Sequence, residues 1–223
     1  MDVFLSNLKS GKYFGTHKVV YAIRVIEYQH RGMPHAHIVV KLSDMPDHED
    51  VEAKTVFINE FITAKSPPTP NAFSTSDDKR YHTYVHRHMV HNCAVAVNGC
   101  KKCDTSKCKR GYEDTKVEPT HFDDRGYPIY ERTSLADLKI VPHNKKILMD
   151  WNGHANVEYA GGVRCVLYLY KYLYKGPKKS SFSIDTDKET SPRDEISLYI
   201  KGRFLCSMDA MWRYAYLHIF TLT

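Results

Sequence analysis

His35 and His37 flank Ala36, and on a strand residues two apart project from the same face with backbones about 7 Å apart, close enough for two imidazoles to grip one metal ion. The same spacing recurs at His86 and His88, and in a chain with 13 histidines one such pair arises by chance, so the neighbours must carry the argument. Glu27 and Gln29 share one parity on the preceding stretch, and a tight hairpin would bring an oxygen from one of them beside the imidazoles. Two neutral imidazoles and one oxygen leave positions open for water and a phosphate oxygen. Such a set suits Mg²⁺ or Mn²⁺ used as a Lewis acid. Without that convergence, these residues are a half-buried polar strand.

A second group lies in CVLYLYKYLYKG, residues 165–176, with tyrosines at 168, 170, 172 and 174. Strict alternation is a strand signal and would put all four phenols on one face. On a helix, Tyr168 and Tyr172 stack one turn apart while Tyr170 and Tyr174 form a second stripe. Either way the rings can serve as packing with wet hydroxyls. A phenol can also attack phosphorus, but with a pKa of about 10 it needs help at neutral pH. Lys171 and Lys175 are at hand to stabilise the negative charge.

The third group is Cys93, Cys100, Cys103 and Cys108, with His82, His86, His88 and His91 just upstream. Four thiolates, or three with one histidine, His91 being the candidate, would close a tetrahedral Zn²⁺ site and hold a segment that has little core of its own. The competing reading is a loop of reduced thiols. Lys101, Lys102, Lys107, Lys109 and Arg110 surround the cysteines. A basic run is ordinarily a solvated face, and here it could also track a phosphate backbone.

These groups need elements to position them. Residues 19–29 are β-branched and apolar on both parities, the pattern of a central strand covered on both faces, and residues 35–42 read as the returning strand of an antiparallel hairpin. Residues 51–65 fit a helix ending before the proline-rich breaker at 66–70. Residues 77–130 form an irregular Cys/His-rich insertion with little apolar periodicity outside 81–90. Apolar order resumes at 139–149, Asn152 to Glu158 suggests a turn entering a short strand, and 194–202 and 207–220 read as two helices after a polar loop.

Composition narrows the function classes. The 223 residues, 42% hydrophobic and 26% charged, suit one large domain or a domain with an inserted module. No run approaches the roughly 18 apolar residues of a membrane span, and the first residues lack the patterns of secretory and transit peptides. The formal charge of +6 tilts toward polyanionic partners. The cysteines do not form a small-domain disulfide framework, so the expected compartment is reducing: nucleus or cytosol.

Taken in series, EYQHRGMPHAHIVV (27–40), NGHANVE (152–158), YLYKYLYKG (168–176) and DEISLYIKGRFLCSMDAMWR (194–213) resemble the Rep nuclease domain of Helitron transposases, an HUH endonuclease type. The resemblance covers nearly the whole chain with the motifs in order. It implies a metal-dependent nickase and strand transferase acting on single-stranded DNA in the nucleus, with a DNA helicase domain in full-length relatives. His35 and His37 then match the metal histidines, Glu27 or Gln29 supplies the third ligand, and Tyr168 and Tyr172 match the tyrosine pair, which puts their segment on a helix. The fold it implies is α+β: a central antiparallel sheet of the HUH/Rep type with packed helices, residues 1–223 forming one N-terminally incomplete domain.

Two departures temper that expectation. The early Rep motif resembling F-x-T-x-x-N-P does not occur near Met1, and no G-x-x-x-x-G-K-[ST] phosphate loop follows. A transposase fragment or degenerate copy fits both, and a missing sheet strand would expose an edge and weaken the metal-site geometry. The rival expectation is therefore a catalytically inactive DNA-binding remnant.

Overall fold

The apolar run after Lys18 forms β1 (Val19–Tyr28), and β2 (Pro34–Leu42) returns beside it across a link too short for a parallel crossover. A third strand, β5 (Phe220–Leu222), completes the sheet in the order β2-β1-β5. It runs antiparallel to β1, with Ile23 opposite Leu222 and Val25 opposite Phe220. The computed structural model describes residues 2–28, 34–47, 49–93, 100, 107–112, 114–161, 167, 170–171 and 220–222. The expected helix over 207–220 is corrected at its end, where Phe220 opens a strand. Three residues are too few for periodicity to reveal, and the pairing comes from β1. The rest of 194–219 lies outside the described residues.

Along β1, Ala22, Val25 and Ile26 are buried, so both parities are covered there, whereas Val20 and Tyr21 near its start are exposed. The expectation of a strand covered on both faces therefore holds only for its later part.

The chain divides into two compact units, Met1–Val19 with Leu42–Val163, and Val20–Lys41 with Arg164–Thr223. The second unit holds most of the three-stranded sheet. The first is built on helices α1 (Asp2–Lys9), α2 (Val51–Phe61), α3 (Ser76–His88) and α4 (Lys145–Trp151), with a two-stranded ribbon of β3 (His121–Phe122) and β4 (Pro128–Ile129). Helices and small antiparallel sheets together make an α+β protein.

The core of the first unit forms where α3 meets α4, from Tyr81, Val85 and Met89 on one side and Ile140, Val141 and Leu148 on the other. The sequence sets up α3 locally. Thr75 caps its first turn by accepting the Asp78 N–H at 3.1 Å, and the Asp78 carboxylate accepts the Thr75 N–H at 3.2 Å. Residues 77–130 are thus less irregular than their composition implies, because their first quarter is a core helix. The helix expected over 51–65 stops at Phe61, since Ile62 turns extended and Thr63 exchanges both backbone hydrogen bonds with His143 at 2.9 Å. Asn144 locks the junction, accepting the Ile147 N–H at 2.9 Å and donating to the Phe61 carbonyl at 2.8 Å.

The turn expected at Asn152 is present, with φ 49° closing α4 in the left-handed region that asparagine tolerates. The strand expected after it is not. Residues 154–161 carry no regular element, and Val157 makes only a single bond to the Pro142 carbonyl at 3.0 Å among the backbone bonds of the stretch.

Candidate metal centres

Two clusters of ligand-type side chains stand out, one in each unit. In the sheet, the His35 and His37 rings lie 4.7 Å apart at an interplanar angle of 68°, so both imidazoles leave the same face. Residues two apart on β2 must share a face, and β1 presents Glu27 to it. Glu27 Oε2 lies 3.4 Å from His37 Nε2, in surroundings where neither side chain is more than about a fifth exposed. The three side chains share a face, but among the described residues they do not form a group whose ligand atoms all converge as a metal site requires. Gln29, the alternative oxygen donor, lies outside the described residues.

The tyrosine segment belongs to the same unit. Leu167, Tyr170 and Lys171 are helical. Tyr170 is exposed. Tyr168, Tyr172 and Lys175 lie outside the described residues.

In the first unit, one ligand atom from each of His91, Cys93, Cys100 and Cys108 lies within 4.8 Å of every other, a group that could hold a metal ion. Cys108 Sγ is 3.3 Å from His91 Nε2, and none of the three sulfurs is in a disulfide. The elements responsible are short. Val90 bridges Ile140 and the His91 N–H donates to the Lys139 carbonyl at 2.7 Å, which extends the chain past α3 and fixes the histidine backbone. Its ring stacks on Tyr112 at 4.2 Å and 12°.

A tight turn presents Cys108. The Gly111 N–H donates to the Cys108 carbonyl at 3.0 Å, with Gly111 at φ 72°, a conformation a side chain would strain. The turn then aims the N–H groups of Arg110 and Tyr112 at the Cys108 sulfur. Burial opposes the thiolate there, but these N–H groups and the neighbouring thiols outweigh it and hold Cys108 below the usual thiol range. Burial pushes Cys93 up to about 11, reinforced by Cys108 and Cys100. Burial, with the positive charges of Arg110 and Lys139, lowers His91 and keeps its imidazole neutral, the form that ligates.

Of the other upstream histidines, His82 and His86 face each other one turn apart on α3 at 4.3 Å, and His86 Nε2 meets Ser66 Oγ at 3.2 Å. Neither joins the cysteine group among the described residues. Lys107, Lys109 and Arg110 are exposed on the Cys108 turn, with Lys107 paired to Asp114 at 3.6 Å. Cys103, Lys101 and Lys102 lie outside the described residues. Sequence reasoning missed Gly111 and Tyr112. The only local signal for them is the glycine three residues after a cysteine, a common turn pattern.

Compared with known proteins, this chain matches no protein-family model, no curated protein and no solved structure.

Proposed function

We propose that this chain is an HUH-type tyrosine DNA endonuclease and strand transferase of the Helitron Rep kind, nicking and rejoining single-stranded DNA. The observation that carries the reading is the gathering of Glu27, His35 and His37 on one sheet face. The helical state of Tyr170 and Lys171 in the same unit supports it, since on a helix residues four apart share a face. The sheet is then the HUH-type sheet, and the Helitron resemblance of the four motifs supplies the reaction.

His35, His37 and Glu27 would hold Mg²⁺ or Mn²⁺, which supplies Lewis-acid withdrawal of charge from a phosphate oxygen. The cysteine cluster has the wrong softness for these cations and takes no part in the cutting. In this reading the phenolic oxygen of Tyr168 or Tyr172 attacks the scissile phosphorus in line. The P–O bond to the 3′ oxygen breaks, and that oxygen leaves as a hydroxyl after gaining a proton. Lys175 steadies the negative charge that builds on the phosphoryl oxygens. One phosphodiester becomes another, so the phosphotyrosine bond conserves the energy and a new 3′-hydroxyl reverses the step without ATP. The second tyrosine cuts another strand while the first is still held.

The substrate is single-stranded or melted DNA, whose backbone can bend into the site. Lys101, Lys102, Lys107, Lys109 and Arg110 contact phosphates and leave base choice elsewhere. A helicase domain is the natural partner and the nucleus the natural compartment. No helix among the described residues is long and apolar enough to cross a membrane.

The test is a labelled single-strand cleavage assay with Mn²⁺ or Mg²⁺, reading a covalent protein–DNA adduct on a denaturing gel. An adduct that disappears in the Tyr168→Phe/Tyr172→Phe double variant is expected. Undiminished adduct from that variant moves the nucleophile elsewhere. DNA retained without any adduct from the unmutated chain leaves the inactive binding remnant.

A further inference from the structure

We infer that the cysteine-rich segment is closed by one tetrahedral Zn²⁺ whose ligands are His91, Cys93, Cys100 and Cys108, and that Cys103 is not a ligand. This does not depend on the nuclease reading. Spacing alone leaves two choices, four thiolates or three thiolates and an imidazole, and among the described residues His91 is the group that joins three sulfurs.

In a zinc tetrahedron with Zn–S bonds of about 2.3 Å and a Zn–N bond of about 2.0 Å, ligand atoms stand about 3.5–3.8 Å apart. The observed Cys108 to His91 separation of 3.3 Å lies just inside that figure and the 4.8 Å limit on the whole group just outside it, so a small adjustment of either sign reaches it. Four donors saturate the ion. With His91 in the fourth place nothing remains for another sulfur, and nothing for water or substrate, so the site is structural.

The surroundings are those of a built site. Cys108 is buried, and its sulfur accepts N–H bonds from Arg110 and Tyr112. Such bonds spread the charge of a metal-bound thiolate and fix its direction, the part that outer partners play around a metal. Tyr112 stacks on the His91 ring and sets its plane, and Lys139 anchors the His91 backbone. Three thiolates and Zn²⁺ leave one net negative charge, which lies beside Arg110 and Lys139. The ion would therefore pin the Cys108 turn to the extended stretch leaving α3, next to the core built by Val85 and Met89.

Cobalt substitution tests the ligand set, because tetrahedral Co²⁺ gives intense visible bands and each thiolate adds near-ultraviolet charge-transfer absorption. The full chain, reduced and stripped, should bind one Co²⁺ carrying the sulfur bands of three thiolates, and an ion at the Glu27, His35 and His37 hairpin would carry none. Cys103→Ser should keep the full charge-transfer intensity and the same Zn²⁺ affinity. His91→Ala should weaken Zn²⁺ by about 100-fold or more, beyond the 10 to 100-fold usual for outer-shell losses.

His91→Cys guards against a variant that merely unfolds. It should still bind one ion, with charge-transfer absorption raised by about a third as four thiolates replace three. Hydrogen exchange supplies a readout of the pin. Chelation should speed exchange at the Lys109 and Gly111 amides, bonded to Cys100 and Cys108 carbonyls, before those of Met89 and Val141. Loss of a quarter of the sulfur absorption in Cys103→Ser, with none of the affinity lost in His91→Ala, would establish the four-thiolate site instead. Absence of sulfur bands in the unmutated chain would overturn the metal site altogether.

Discussion

The two clusters differ in how far apart in sequence their members lie and in what that distance allows. Glu27, His35 and His37 come from one hairpin, so strand parity and a short return bring them to one face. Their donors are nitrogen and oxygen, and in the proposed function three of them would leave room for a substrate. His91, Cys93, Cys100 and Cys108 are themselves in no helix or strand, and their donors are mostly sulfur. A rigid sheet can hold an incomplete ligand set open for chemistry. A segment without a sheet would need a complete one, the metal then supplying the missing rigidity.

The largest effect expected from breaking this contrast is on the hairpin. His35→Ala or His37→Ala should lower the rate of strand nicking by about 10³-fold or more, since removal of even one group that stabilises phosphoryl charge costs about 10² to 10³. Binding of the same DNA in a mobility-shift assay should change little. A variant that loses binding in parallel would show that the histidines hold the sheet together and do not serve chemistry.

Next comes the cysteine cluster. Cys108→Ser should destabilise the first unit by about 4 kcal/mol, in the range reserved for losing a metal or a comparable constraint, as read by denaturant unfolding. With Mn²⁺ restored, the folded fraction should still nick DNA. Unchanged stability would reduce the cluster to thiols on a loop.

A pH titration separates the units further. His143 is buried, its Nδ1–H donating to the Val141 carbonyl at 2.9 Å and its Nε2 accepting from the Tyr81 hydroxyl at 2.8 Å. Burial is the main cause of its lowered pKa, so the folded state binds its proton less readily than the unfolded state. Its contribution is therefore complete above the unfolded value of about 6.5 and declines as pH falls below it. His143→Gln should flatten that part of the stability curve of the first unit, and a curve of unaltered slope would assign it to His86 or His91, whose values are also lowered.

The smallest effect belongs to single polar contacts. Tyr81→Phe removes the hydroxyl that meets His143 and should cost about 1 kcal/mol, as should Thr75→Ala at the α3 cap. Neither should alter Zn²⁺ affinity. A Thr75→Ala variant that loosened the metal would mean that α3 and the cysteine turn unfold as one.

Where neighbours in sequence are neighbours in space, the chain alone determined the outcome. The hairpin, the shared face of His35 and His37, the capped start of α3 and the breaker after α2 follow from period, parity and turn residues acting over a few positions. The helical state at Tyr170 and Lys171 lies outside that set, because the alternation of the tyrosines pointed to a strand. Tertiary structure decided what depends on distant partners. It ended α2 four residues early because Thr63 found His143, and it made a strand of Phe220–Leu222 because β1 offered an edge. It also brought the ligand atoms of His91, Cys93, Cys100 and Cys108 within reach of one another, including His91, the histidine the sequence had singled out. Each of these choices is settled by a hydrogen bond or contact between segments remote in the chain, and no local pattern of residue types encodes which remote segment will arrive.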